Sequence, residues 1–252
     1  MPETMERPFE RLELLYGQEA ISRLREARVA VFGIGGVGSY AVEALARSGV
    51  GALDLIDHDR VSISNLNRQI IATHSTIGRY KVEVAEERVK TISPDCLVRS
   101  YRTFYLPNTA DLFDFRSYDY VVDAVDTVTA KISLAQAAQN AGVPIISAMG
   151  TGNKVHPELL EIADLYDTTE CPLARIMRKE CRKRGIRKLK VVYSREVPRT
   201  PLNLQTDRVE TPEETGSEYG RKRQTPGSAA FVPGAVGLLL AAEVVNDLTA
   251  LY

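Results

Sequence analysis

Cysteine is scarce in this chain, net charge is nearly absent, and only one extended apolar segment occurs. Cys96, Cys171 and Cys181 are its only cysteines, an odd number without CxxC spacing, which excludes a disulfide framework. Thirty-two Lys and Arg face thirty-three Asp and Glu, for a formal net charge of −1. Any nucleic-acid or membrane partner must therefore bind through a local patch. The start MPETMERPFE carries no apolar run of the signal-peptide kind, and the expectation is a reduced, cytoplasmic protein. The one apolar segment, residues 229–245 (AAFVPGAVGLLLAAEVV), contains Pro233 and Glu243. It falls at the short end of what a bilayer helix needs, so a buried core helix and no membrane are expected. What remains, 44% hydrophobic and 26% charged, is the composition of a soluble globular protein.

Residues 1–27 read as a helical prefix. Phe9, Leu12 and Leu15 stand at helical spacing, Gly17 breaks the pattern, and Ala20, Ile21 and Leu24 form a second face. Strands then alternate with helices: strand 28–32 (RVAVF), helix 40–47, strand 53–56, helix 79–92 stopped by Pro94, strand 97–104, strand 120–125, helix 129–140 stopped by Gly142, strand 144–148. This order predicts an α/β, Rossmann-like fold: a doubly wound, mostly parallel sheet with helices on both faces. Beyond residue 150 the pattern weakens. Residues 189–194 read as a strand and 198–226, polar and rich in Pro and Gly, as a long mobile loop. The expected organisation is one domain over 1–252, with the prefix 1–27, a nucleotide-binding core 28–150 and an irregular, basic, substrate-facing part 151–252.

Gly33-Ile34-Gly35-Gly36-Val37-Gly38 lies between a predicted strand and a predicted helix. In that context the glycines allow a tight turn, backbone approach to phosphate and close helix packing. Asp57 follows at the end of the second strand, where a carboxylate meets a ribose hydroxyl. The crossover DHDRVSISNLNRQ is unusually polar, and Lys81 opens the next helix, where its charge opposes the macrodipole unless an anion lies beside it. Asp126 ends the strand 120–125 segment. A carboxylate near phosphates requires an intervening cation, so Asp126 points to Mg²⁺ and a triphosphate. NAD explains Arg68, Lys81 and Asp126 less well, and no hydride-transfer residue stands out.

The GIGGVG turn, DHDRVSISNLNRQ, GRYK ending in Lys81, and DAVDT together resemble the ubiquitin-activating-enzyme-like superfamily of adenylating enzymes over roughly residues 11–150. The resemblance implies ATP binding in a homodimer. It implies that Asp57 holds the ribose, that Asn65, Arg68 and Lys81 hold the phosphates, that Asp126 holds Mg²⁺, and that Gly33, Gly35, Gly36, Gly38, Asp59 and Gln69 complete the nucleotide site. It also implies that an N-terminal arginine, Arg11 or Arg23, reaches the partner's ATP. Two departures narrow the branch. The two CxxC pairs that carry structural zinc in sulfur-carrier activators are missing, with His58, His74 and His156 isolated, and Thr127 replaces the asparagine that follows the second aspartate. GVGSYAVEALARSGVG, ECPLARIMRK and GSAAFVPGAVGLLLA resemble the transfer-RNA threonylcarbamoyladenosine dehydratase branch. The implied activity is adenylation of a threonyl carboxylate on a modified adenosine of tRNA, followed by ring closure. Activation of a small sulfur-carrier or ubiquitin-like protein is the alternative, and a cysteine desulfurase or sulfur acceptor stays open as a partner.

Between residues 175 and 195 ten Lys or Arg face the single acid Glu180, and Arg221, Lys222 and Arg223 form a second cluster. Arg178, Lys179, Arg182, Lys183, Arg184, Arg187 and Lys188 are the candidate tRNA contacts, acting on phosphates without reading sequence. Cys171, between Glu170 and Pro172 in a polar segment that allows exposure, is the candidate for a thioester, but ring closure does not require one and a buried or inert cysteine is the commoner case, so no covalent role is expected.

Overall fold

The computed structural model describes residues 8–202 and 226–250. Its centre is a seven-stranded sheet of order β3-β2-β1-β4-β5-β7-β6. The strands are β1 (Arg28–Phe32), β2 (Ala52–Ile56), β3 (Leu97–Tyr101), β4 (Tyr120–Asp123), β5 (Ile145–Ala148), β6 (Leu160–Asp164) and β7 (Lys190–Ser194). All pairings are parallel except β6 with β7. The helices are α1 (Glu10–Tyr16), α2 (Gln18–Glu26), α3 (Gly38–Arg47), α4 (Lys81–Ile92), α5 (Val128–Ala141), α6 (Pro172–Lys183) and α7 (Phe231–Thr249).

The β-branched run of β1 is buried on both sides. Val29 and Val31 enter a core shared with α2, α3, α4 and α7, whereas Ala30 and Phe32 face α5 and the aromatic cluster of Tyr105, Phe113 and Phe115. Alternate residues serve opposite faces, and each fully buried Val, Leu or Phe stabilises the fold by about 1.5–3 kcal/mol. A third cluster, from Ile132 and Ala135 of α5 to Met177 and Cys181 of α6, covers the β5–β7 end.

The apolar segment becomes α7 and packs on α3, α2, β5 and β7. Gly237 makes the approach possible, since a Cβ there would stand 2.7 Å from Cβ of Tyr40 on α3. The prefix folds as two helices broken at Gly17, with Leu12 packed on the core. Leu15, expected on the same face, is exposed instead, as is Leu14. Strands β3 and β4 end at Tyr101 and Asp123, earlier than the apolar patterns suggest.

The weak pattern after residue 150 conceals β6 and α6. In α6 the buried residues Ala174, Met177 and Cys181 recur at helical spacing, but the abundant charge masks them. In β6 no residue is fully buried, as befits an antiparallel edge strand. The loop expected over 198–226 and the cluster Arg221–Arg223 lie almost wholly outside the described residues.

Candidate active site

Strand order reverses at β1, whose neighbours are β2 and β4, and in such sheets ligands bind outside the carboxyl ends at this switch point. A cavity of about 960 Å³ opens there. It is lined by the glycine turn, the end of β2, residues 63–69, Lys81, the turn after β4 and the turn after β5. Every phosphate- and metal-directed residue expected from the sequence, Asn65, Arg68, Lys81 and Asp126, reaches this one cavity, together with Asp57, Asp59 and Gln69.

The glycine turn is built for close approach. Gly33 has φ +89°, and a Cβ on it would stand 2.7 Å from the carbonyl oxygen of Ala124, so the turns after β1 and β4 are pressed together. A Cβ on Gly38 would collide with the carbonyl of Gly33. Asp57, the first residue after β2, accepts the backbone N–H of Ile34 at 2.7 Å and that of Asp59 at 2.8 Å. Its carboxylate is thereby locked beside the glycine turn, the place a ribose occupies in this fold class.

Lys81 is 5% exposed, and its Nζ lies 2.6 Å from Asp59 Oδ2 and 4.0 Å from Asp57 Oδ2. The anion that balances Lys81 against the α4 dipole is thus Asp59. Arg68 donates to the carbonyl of Ser64 at 2.8 Å and to Asn67 Oδ1 at 3.0 Å. These bonds anchor the guanidinium, and the stem of Arg68 passes Gly36, whose added Cβ would stand 3.4 Å from Arg68 Cγ. Asn65 Oδ1 accepts the N–H of Ser62 at 3.0 Å and so closes the 3-10 turn that presents residues 65–69.

Gln69 is 6% exposed, and among the described residues its buried Oε1 has no hydrogen-bond partner. A buried amide oxygen left this way can accept a donor from a ligand or a water in the cavity. Asp126 is exposed at the cavity mouth, and among the described residues no cationic side chain stands at salt-bridge distance from it. One carboxylate beside a triphosphate suits Mg²⁺, which keeps several waters and takes one or two carboxylates with substrate phosphates. The residues present therefore fit both nucleotide and metal.

Several cavity residues carried no sequence signal. Phe104 lies at the rim with His58, ring centroids 4.5 Å apart, and Met149 to Gly152, Leu173 and Pro226 line the β5 side. A turn glycine and an apolar residue on a loop look alike whether or not a ligand touches them. Lys131 is the more informative omission, because its charge is buried at the cavity wall.

Cys171 is 2% exposed, although its polar sequence context allowed exposure. It is the N-cap residue of α6 and packs in the cluster with Met177 and Leu165. Burial pushes the thiols of Cys96 and Cys181 up to about 11, so both are protonated at neutral pH. Nearby Lys154, 2% exposed, titrates below an ordinary lysine because burial disfavours its charge, with Cys171 and Glu196 opposing.

The basic segment divides in two. Arg175, Lys179, Arg182 and Lys183 are exposed on α6, and Arg187 and Lys188 on the loop after it. Arg178 is half-buried and donates to the carbonyl of Thr168 at 2.8 Å. Lys190 pairs with Glu243 and Asp247 of α7, and Arg195 with Glu161 at 2.6 Å. Lys183 and Arg184 hold the Glu180 carboxyl down at about 2. The surface that remains is narrower than ten charges in sequence suggest, but it starts at the cavity, where Leu173 of α6 lines the wall.

Comparison with known proteins gives the chain its relatives. The tRNA threonylcarbamoyladenosine dehydratase of Bacillus subtilis is 41% identical over 244 residues, covering 95% of this chain and 94% of that one. The enzyme of the same name from Escherichia coli is 39% identical over 165 residues, 66% of this chain and 62% of that one. A crystal structure of the E. coli enzyme in complex with ATP superposes with a TM-score of 0.84 at 30% identity, covering 96% of this chain and 94% of that chain. The match to the ThiF family runs over residues 9–251, and the chain belongs to that family.

Proposed function

We propose that this protein is an ATP-dependent dehydratase acting on N6-threonylcarbamoyladenosine in tRNA. The observation that carries the reading is the convergence of Asp57, Arg68, Lys81 and Asp126 on one cavity, from whose wall a basic helix departs. Kinship to a dehydratase along 95% of the chain supports the substrate.

A carboxylate is inert at neutral pH because its leaving group would be oxide. In the proposed reaction a threonyl carboxylate oxygen attacks the α-phosphorus of ATP, the α–β bond breaks, and pyrophosphate leaves. The urea oxygen or nitrogen then attacks the acyl carbon, AMP departs with the former carboxylate oxygen, and a urea proton is lost, for a net loss of one water. Closure within one molecule gains an effective molarity of about 10⁵–10⁸ M when the groups are well aligned. Asp57 orients the ribose, while Arg68 and Lys81 balance charge gathering on the phosphates. Asp126 would hold Mg²⁺, which supplies further neutralisation of the triphosphate. The exposed cations of α6, with Arg187 and Lys188, take tRNA phosphates.

Further parts of the reading rest on kinship and on surface chemistry. The chain acts as one adenylating domain, in the cytoplasm, as a homodimer. Arg11 is the arginine that enters the partner's site, because Arg23 already donates to the Thr249 carbonyl at 3.1 Å and pairs with Glu19 at 2.6 Å. The exposed Leu14 and Leu15 beside Arg11 suit a face covered by a second copy. A sulfur-acceptor protein is a further partner on the same footing. Burial of Cys171 favours the dehydratase over carrier activation.

Mass spectrometry of the modified nucleoside after incubation of tRNA with protein, ATP and Mg²⁺ tests the proposal. Loss of one water in an ATP-dependent manner is expected, with Asp126→Ala reducing turnover by about a hundredfold or more. Unchanged nucleoside, with ATP–pyrophosphate exchange stimulated by a small carrier protein, would replace the dehydratase with a carrier activator.

A further inference from the structure

The cavity wall holds a charge pair outside the phosphate-binding set. Lys131 Nζ lies 3.1 Å from each carboxylate oxygen of Asp123 and 3.3 Å from Ser147 Oγ, and Ser147 Oγ also donates to Asp123. None of the three side chains is more than 1% exposed, yet Lys131 lines the nucleotide cavity. Three elements bring them together. Asp123 ends β4, Ser147 is its register partner on β5, and Lys131 sits one turn into α5, its N–H bonded to the Thr127 carbonyl at 3.0 Å.

Stability alone does not account for this arrangement. Apolar residues of similar volume commonly replace a buried ion pair at no cost or with a gain, whereas a pair with one partner removed is strongly destabilising. The position of the pair is what gives it a use. Asp123 Oδ1 also accepts the N–H of Val125 at 3.2 Å, and the Ala124 carbonyl is pressed against Gly33 on the other side. The short run 124–126, which carries Asp126 into the cavity, is therefore held between the glycine turn and the Asp123 carboxylate. Lys131 and Ser147 fix the direction of that carboxylate.

We infer that Lys131 is a positioning residue: it clamps Asp123, and through Asp123 it sets the aim of Asp126 at the metal–triphosphate. The inference rests on the Mg²⁺ role proposed for Asp126, and not on the identity of the acyl substrate. Its ammonium, saturated by Asp123 and Ser147, acts through the turn rather than on the phosphates.

The test is ATP affinity with and without Mg²⁺, by equilibrium dialysis, with thermal melting alongside. Mg²⁺ should tighten ATP binding to the wild type and fail to do so in Asp126→Ala. In Lys131→Met this coupling should fall about tenfold, a loss within the usual range of coupling energies, while Mg²⁺-free ATP affinity stays near wild type. Lys131→Arg, which keeps the charge, should retain most of the coupling. Because Lys131→Met leaves Asp123 buried and uncompensated, Asp123→Asn/Lys131→Gln carries the same test with neither charge present, and the same loss is expected with near-native melting. Lys131→Met and the double variant melting lower but keeping wild-type coupling would reduce the pair to a structural one and overturn the inference. Absence of coupling in the wild type overturns the metal role of Asp126 and this inference together; loss in Asp126→Ala with retention in both Lys131→Met and Asp123→Asn/Lys131→Gln overturns this inference alone.

Discussion

At the first position of α4, Lys81 costs about half a kcal/mol against the helix dipole, and Asp59 at 2.6 Å is the counter-charge that makes the position tenable. Lysine has three donors, so pairing with Asp59 leaves Lys81 able to meet a phosphate while its stem stays fixed. Cys171 has no comparable opening: it is buried and caps α6. Cys171→Ser should retain most dehydratase activity in the nucleoside assay, and a loss of about a hundredfold or more in a folded variant would restore the thioester route. Lys154 is the residue-scale case where charge works against the fold. Burial lowers its affinity for a proton, so the unfolded chain holds that proton more tightly than the native one. Its contribution to stability therefore improves as pH rises from the lowered native value toward the ordinary 10.5. Lys154→Met should stabilise the protein at neutral pH by about 1 kcal/mol, with the gain shrinking as pH approaches 10.5. Melting midpoints across that range check it, and a gain that grows with pH would reverse the sign.

Elements differed in how readily the sequence disclosed them, and the reason lies in what each one buries. β1, α3, β2, α4 and α5 keep unbroken apolar faces between glycine and proline stops, and the strand–turn–helix around GIGGVG points to the candidate nucleotide site on sequence grounds alone. The candidates Asp57, Lys81 and Asp126 were legible because each sits at or beside an element end in a polar context, and Arg68 because it lies in the unusually polar crossover. β6 and α6 were not, since an edge strand alternates weakly and ten cations in twenty-one residues drown the three apolar positions of a helix. Asp123 and Lys131 were hidden for the opposite reason: inside a strand and a helix, a pair of opposite charges is invisible until topology brings them together. α6 is about 18 Å long and starts at the cavity wall with Leu173, a geometry that fits a base in the cavity and its neighbouring phosphates along the helix. Lys179→Glu/Lys188→Glu should raise the tRNA Michaelis constant about tenfold and flatten the slope of its logarithm against log salt by about 0.7–0.9 for each phosphate no longer neutralised. ATP affinity should not move. A salt slope equal to that of the wild type would return this face to the solvent.

For the whole molecule, the open question is how many chains make one site. The described chain presents a candidate nucleotide cavity with Arg68 and Lys81 already at its wall, and an α1 that offers Leu14, Leu15 and Arg11 to solvent. If α1 packs against a second copy, symmetry makes the interface reciprocal, and each cavity receives Arg11 from the other subunit. Arg11→Ala and Asp126→Ala should then each be inactive alone for different reasons. The first has an intact metal carboxylate and donates no arginine; the second donates its arginine and has no metal carboxylate. In a mixed dimer, the cavity of the Arg11→Ala subunit has its own Asp126 and its partner's arginine, so one of the two cavities is complete. Random reassociation of equal amounts makes half the dimers mixed, and activity should return to about a quarter of wild type. An arginine acting within its own subunit gives no complementation at any mixing ratio, because neither kind of subunit then holds both groups. Measuring dehydration after denaturing and refolding the two variants together, against each refolded separately, decides between a site completed across the interface and one that each chain builds alone.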